Sequence, residues 1–149
     1  MTPENKIKFK ANAQARSLVL LPKKEAEKRI ETNYYVEGYA ARYEPYVLCY
    51  DGDEPIYERF ERGCFDDCDM SDVIMQFDHA GRVFARSTNG SLVVEPDDAG
   101  LFMAADLGRT EGARGLYADI DAEMITKMSW RFRVGDCYWD AETRTIVHR

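Results

Sequence analysis

Histidine is the scarcest chemistry-bearing residue in this chain. There are two, His79 and His148, beside four cysteines, Cys49, Cys64, Cys68 and Cys137. Cys64-Phe-Asp-Asp-Cys68 lacks a second matching pair, so no ordinary structural zinc set is present and no metal is expected. Serine is almost as sparse, with five: Ser17, Ser71, Ser87, Ser91 and Ser129. Long apolar runs are missing. The longest, Ser17-Leu-Val-Leu-Leu-Pro, falls well short of the roughly 18 residues of a membrane helix. It is also shorter than the apolar region of a secretory signal, about 7–15 residues. The chain therefore reads as soluble and cytosolic, its thiols reduced and partly buried. No repeat or low-complexity tract is evident. With 45% hydrophobic and 32% charged residues, a length of 149 supports one cored domain and excludes wholesale disorder.

Lysine is nearly absent from most of the chain: six of the seven lie before Glu31, and only Lys127 follows. Residues 1–30 hold eight Lys or Arg against three Glu, a balance of +5, whereas residues 31–149 hold twelve against twenty-four, a balance of −12. The chain thus divides into a basic arm or pro-segment, residues 1–30, and an acidic body, residues 31–149. An acidic body lacks the cationic face that nucleic-acid binding needs. The arm is suited to nucleic acid, to the body itself, to an acidic partner, or to remaining a solvated tail.

What is present is mostly strand-like. The arm holds a weakly helical stretch at residues 26–30. The body opens with an aromatic-rich, β-prone stretch at residues 34–43, followed by a loop at residues 50–55. Further strands are expected at residues 56–60, 73–79, 83–86, 91–95 and 101–107. Asn89-Gly90 and Asp97-Asp-Ala-Gly100 supply hairpin turns. In the stretch from Val73, alternation places Val73, Met75, Phe77 and His79 on one face. The expected result is a mainly β fold with helices, its antiparallel sheet curled or closed.

The period then changes. Leu116, Ile120, Met124 and Met128 recur every four residues, predicting an amphipathic helix over residues 113–127 begun near Thr110. Met128-Ser-Trp-Arg-Phe-Arg-Val134 alternates again, setting Met128, Trp130, Phe132 and Val134 opposite Ser129, Arg131 and Arg133. A last strand at residues 146–149 runs to the end of the chain, so truncation or trimming is expected there.

Ser129 stands out among the serines because it occupies the helix-to-strand junction with Arg131 and Arg133 on its face. His79 ends an apolar strand beside Gly81. A serine hydroxyl becomes nucleophilic when a base takes its proton, and a neutral imidazole has the suitable pKa. A spacing of fifty residues neither supports nor forbids the pair, because such sites assemble in space. Ordinary polar residues at strand ends are the competing reading.

Three stretches together carry a resemblance: Val73-Ile-Met-Gln-Phe-Asp-His79, Ser91-Leu-Val-Val-Glu-Pro-Asp-Asp-Ala-Gly-Leu101 and Met124-Ile-Thr-Lys-Met-Ser-Trp-Arg-Phe132. With Val36-Glu-Gly-Tyr-Ala-Ala41 and Glu61-Arg-Gly-Cys-Phe65, their order resembles the prohead (capsid maturation) proteases of tailed bacteriophages, from about Tyr34 to Val147. The resemblance implies a mostly antiparallel β-barrel of herpesvirus-protease type, with a helix immediately before the serine strand. It implies Ser129 as nucleophile and His79 as base. The third member would be an acidic residue beyond Arg149, or His148, whose alternative is a solvent-facing terminal position. Arg131 stands where the family often has a small residue, either tolerated or assisting charge stabilisation.

The implied activity is a serine endopeptidase without cofactor, cutting capsid or scaffold protein, and itself, in proheads assembling in the host bacterial cytoplasm. A homo-oligomer such as a dimer is expected, with no membrane partner. The alternative is a catalytically silent β-barrel module that binds shell or scaffold protein.

Overall fold

Short β-prone runs joined by Gly, Pro and Asp turns build sheets, and one stretch of helical period supplies the covering layer. A computed structural model describes residues 16–17, 28–128 and 130–149. Its strands are β1 (Arg16–Ser17), β2 (Tyr35–Arg42), β3 (Tyr46–Asp51), β4 (Glu54–Phe60), β5 (Ile74–Phe77), β6 (Ala80–Arg86), β7 (Leu92–Pro96), β8 (Gly100–Asp106), β9 (Lys127–Met128), β10 (Cys137–Asp140) and β11 (Thr145–His148). The single described α-helix, α1 (Glu111–Asp121), follows β8.

The strands form four sheets, ordered β1-β9, β10-β11-β4-β3, β2-β8-β7 and β5-β6. All pairings are antiparallel except β11 with β4, which is parallel and aligns Thr145 with Tyr57 and His148 with Phe60. Among the described residues the fold is mainly β with one α-helix, as the sequence suggests, but none of the sheets closes into a barrel. Closure needs continuous ladders between neighbouring sheets. Here the four sheets share no ladder, and within them the register shifts in β2 between Tyr39 and Ala41, in β3 between Val47 and Cys49, and twice along the β5–β6 pair. Such irregularities bend a strand and interrupt its pairing.

One core cluster joins Val36 of β2, Ala85 of β6, Leu92 of β7, Met103 and Ala105 of β8, and Ala113, Leu116 and Ile120 of α1. Burying Leu116 and Ile120 contributes about 1.5–3 kcal/mol each, as an upper bound. A second cluster joins Ala41, Phe60, Phe65 and Leu101, with half-buried Trp130 and Phe132 packed against it. Gly100 permits β2 to pass close to β8: a Cβ there would lie 2.0 Å from the Ala41 carbonyl oxygen.

Thr110 caps α1, its Oγ1 accepting from the Ala113 N–H at 3.1 Å, as a helix start near that residue requires. The helix ends at Asp121, not at residue 127. Glu123 takes a left-handed φ of 60° and its N–H bonds the Ile120 carbonyl, which stops the helix while the apolar spacing runs on. Met124 is consequently 78% exposed, and Met128 belongs to β9.

The expected strand over residues 128–134 is likewise shorter, since β9 stops at Met128. Beyond it, Trp130 and Phe132 still turn toward the core while Arg131 and Arg133 are exposed. Val134 breaks the alternation, being 59% exposed. The loop expected at residues 50–55 is a tight hairpin whose turn is only Gly52 and Asp53, with Asp51 and Glu54 already paired. Of the helix expected at residues 26–30, residues 26 and 27 lie outside the described residues, and residues 28–30 are not helical. At this end of the arm, Arg29 forms an ion pair with Glu95, and Lys28 Nζ donates to the Thr32 carbonyl at 2.9 Å.

Candidate active site

His79 is placed by a turn, not by a strand. Phe77 pairs with Ala80, leaving Asp78 and His79 as the two-residue connection between β5 and β6. Their φ values, 50° and 57°, are those of a hairpin turn whose twist matches the strands it joins. Asp and His tolerate the left-handed region better than bulkier residues do. His79 is therefore exposed at a hairpin tip and does not continue the face of Val73, Met75 and Phe77.

The base of the hairpin is fastened. Arg86 donates to Asp72 from Nε at 2.8 Å and Nη2 at 2.5 Å, and this bond lowers the Asp72 pKa. The Val73 N–H donates to Ser87 Oγ at 2.8 Å, and the Ser87 N–H returns a bond to the Val73 carbonyl at 2.9 Å. Near the tip, Gln76 Nε2 donates to the Gly81 carbonyl at 2.8 Å.

A cavity of about 520 Å³ lies against this hairpin. Its lining includes β5, Asp78 and His79, and apolar side chains of β7 and β8 such as Val94 and Met103. It also includes Lys127, Met128, Trp130 and Arg131. Ser129 lies outside the described residues. Its neighbours on both sides, Met128 and Trp130, border the same cavity as His79.

The segment after position 129 is anchored by aromatic packing. Trp130 and Phe132 stack with centroids 4.4 Å apart, and Phe60 meets them edge-on at 5.5 and 5.4 Å. Phe65 adds an edge contact to Trp130 at 5.4 Å. Arg131, between the anchored residues, stays exposed and contributes its charge to the cavity lining.

His148 is not among the residues lining that cavity. It is buried, with Nε2 2.7 Å from Glu58 Oε1 and its ring stacked on Phe60 at 4.7 Å. Glu58 also accepts from the Tyr46 hydroxyl. The ring thus backs the aromatic cluster behind Trp130.

Sequence reading missed Asp78 and Lys127 as cavity residues, and it missed β1 altogether. Asp-His before Ala-Gly was an available turn signal for the first of these. Two residues of strand in a basic arm give no such signal for β1.

All four cysteines are free thiols, and burial pushes Cys64 up to about 11. Among the described residues no group of His, Cys, Asp and Glu could hold a metal ion. No helix among them is long and apolar enough to cross a membrane.

No curated protein and no solved structure matches the chain. A family profile does, over residues 21–149, and its description is caudovirus prohead serine protease. That span takes in the hairpin, the cavity and the anchored segment, and the chain belongs to the caudovirus prohead serine protease family.

Proposed function

We propose that the chain is a serine endopeptidase of capsid maturation in which Ser129 attacks and His79 serves as its base. The supporting observation is the cavity that His79 shares with Met128 and Trp130, the residues flanking position 129. His79 accepts the Ser129 proton, the alkoxide adds to a peptide carbonyl, and the tetrahedral intermediate expels the amine to leave an acyl-enzyme. His79 gives the proton to that amine, takes one from the water that attacks the acyl-enzyme, and returns it to the Ser129 oxygen as the acid product leaves. Arg131 adds positive charge where the oxyanion develops, and backbone N–H groups donate to it.

The substrates are the capsid or scaffold protein and the chain's own arm, cut inside proheads assembling in the host cytoplasm. Labelling with a serine-reactive fluorophosphonate tests this. Ser129→Ala should abolish labelling of the full chain, and His79→Ala should slow it by about 10²–10⁴-fold. Labelling that persists in Ser129→Ala would overturn the assignment. Absence of labelling in the unaltered chain would favour a catalytically silent scaffold-binding module.

A further inference from the structure

β9 has one strand partner among the described residues, and it comes from the far end of the chain. Arg16 aligns with Met128 and Ser17 with Lys127, antiparallel. Lys127 and Met128 both line the cavity that holds His79. Two residues of the basic arm, Arg16 and Ser17, thus pair with the strand that leads directly into position 129. Resting on the protease reading, we infer that β9 is the strand-docking edge for the peptide substrate. Arg16–Ser17 holds that edge in the free chain as an internal competitor.

A protease needs its substrate extended so that one carbonyl is presented to the nucleophile. Adding the peptide as an antiparallel strand achieves this with backbone hydrogen bonds alone. The β1–β9 pair is such an arrangement, made by the chain's own backbone. Side-chain selection then falls to the cavity, whose lining includes Ile74, Met75, Val94 and Met103 as well as Lys127 and Met128. The substrate class is an extended peptide with a large aliphatic side chain next to its strand-pairing residues. The arm's sequence has that character, because Leu18-Val-Leu-Leu21 follows Arg16-Ser17.

A two-residue ladder offers few hydrogen bonds and is weak by itself. Tethering compensates, since a segment on the same chain competes at an effective concentration on the order of millimolar. The charge balance, +5 for residues 1–30 against −12 for residues 31–149, favours the same encounter. Free substrate wins the edge once the arm is displaced or cut.

The test compares two probes on the full chain and on a full-length Arg16→Pro/Ser17→Pro variant, whose positions 16 and 17 cannot donate backbone bonds to β9. One probe is a small alkyl fluorophosphonate, and the other is a peptidyl phosphonate with a leucine beside its reactive group. The variant should react with the peptidyl probe about tenfold faster. Its reaction with the small probe should change less than about twofold, because no strand need be displaced. A synthetic peptide of residues 12–21 should slow the peptidyl probe again, while a scrambled peptide should not. An unchanged peptidyl rate overturns the inference and leaves the protease reading standing, provided Ser129 is labelled. A variant melting more than about 5 °C lower also overturns it, showing β1 to be part of the fold. Failure of both probes to label Ser129 removes the protease reading and this inference with it.

Discussion

The β2-β8-β7 sheet and the β5-β6 hairpin differ less in residue type than in what covers them. Both are antiparallel and both draw on Val, Met, Phe and Ala. β8 lies between two strands, shares a core cluster with α1, and hides six of its seven residues. β6 belongs to a two-stranded ribbon and hides only one of seven. Burial is set by layers and neighbours, which strand composition does not encode. The thick sheet carries stability, while the thin ribbon carries His79 on a turn that two non-glycine residues make at a cost of about 1 kcal/mol or more each.

The largest expected effect sits on the thin element. His79→Ala should lower peptide turnover by about 10²–10⁴-fold and move the melting temperature by less than about 2 °C. A large fall in melting temperature would erase the contrast by making the hairpin tip a structural element. On the thick side, Leu101 is 1% exposed, and Leu101→Ala should cost about 2–5 kcal/mol in denaturant unfolding. A cost below about 1 kcal/mol would mean that the sheet is not the principal store of stability.

Asp106, at the end of β8, sharpens the comparison through pH. Burial pushes its carboxyl up, but it accepts from Thr32 Oγ1 at 2.7 Å, the Gly108 N–H at 2.8 Å and Arg109 Nε at 3.0 Å. The bonds prevail and hold the pKa below the ordinary carboxylate value. A depressed folded pKa contributes stability above the unfolded value of about 3.9, lost as pH falls through the folded value. Acid melting curves should therefore decline below about pH 4, and Asp106→Asn should flatten that limb while costing about 1–3 kcal/mol at neutral pH. A limb unaltered by the substitution would assign acid sensitivity elsewhere. The smallest effect returns to the ribbon: Phe77 is 58% exposed, and Phe77→Ser should change stability by no more than about 0.5 kcal/mol.

Local chemistry was legible in the sequence, and long-range pairing was not. Thr110 marked a helix start, and Asp97 with Gly100 marked the turn between β7 and β8, because caps and turns depend on neighbouring residues. The helix end was misread because Met124 and Met128 continue the spacing after Glu123 has reversed its φ. The pairing of β11 with β4 was hidden because register between distant strands leaves no local periodicity. For the site, the motif singled out His79, but alternation put it on a strand face where the backbone makes a turn. His148 was read as either a third catalytic member or a solvent-facing end. Its bond to Glu58 depends on the same parallel pairing, which its own neighbours do not announce.

The parallel seat of β11 beside β4 also orders events in time. Its partners lie most of the chain apart, so the entropy of closing that loop is spent before the contacts repay it. α1 and β7 with β8 need only near neighbours and can form early. His148 reaches Phe60 and Phe132 when β11 docks, and that docking completes the packing behind Trp130. The cavity rim next to position 129 is thus expected to set late in folding, after the turn and the helix are in place.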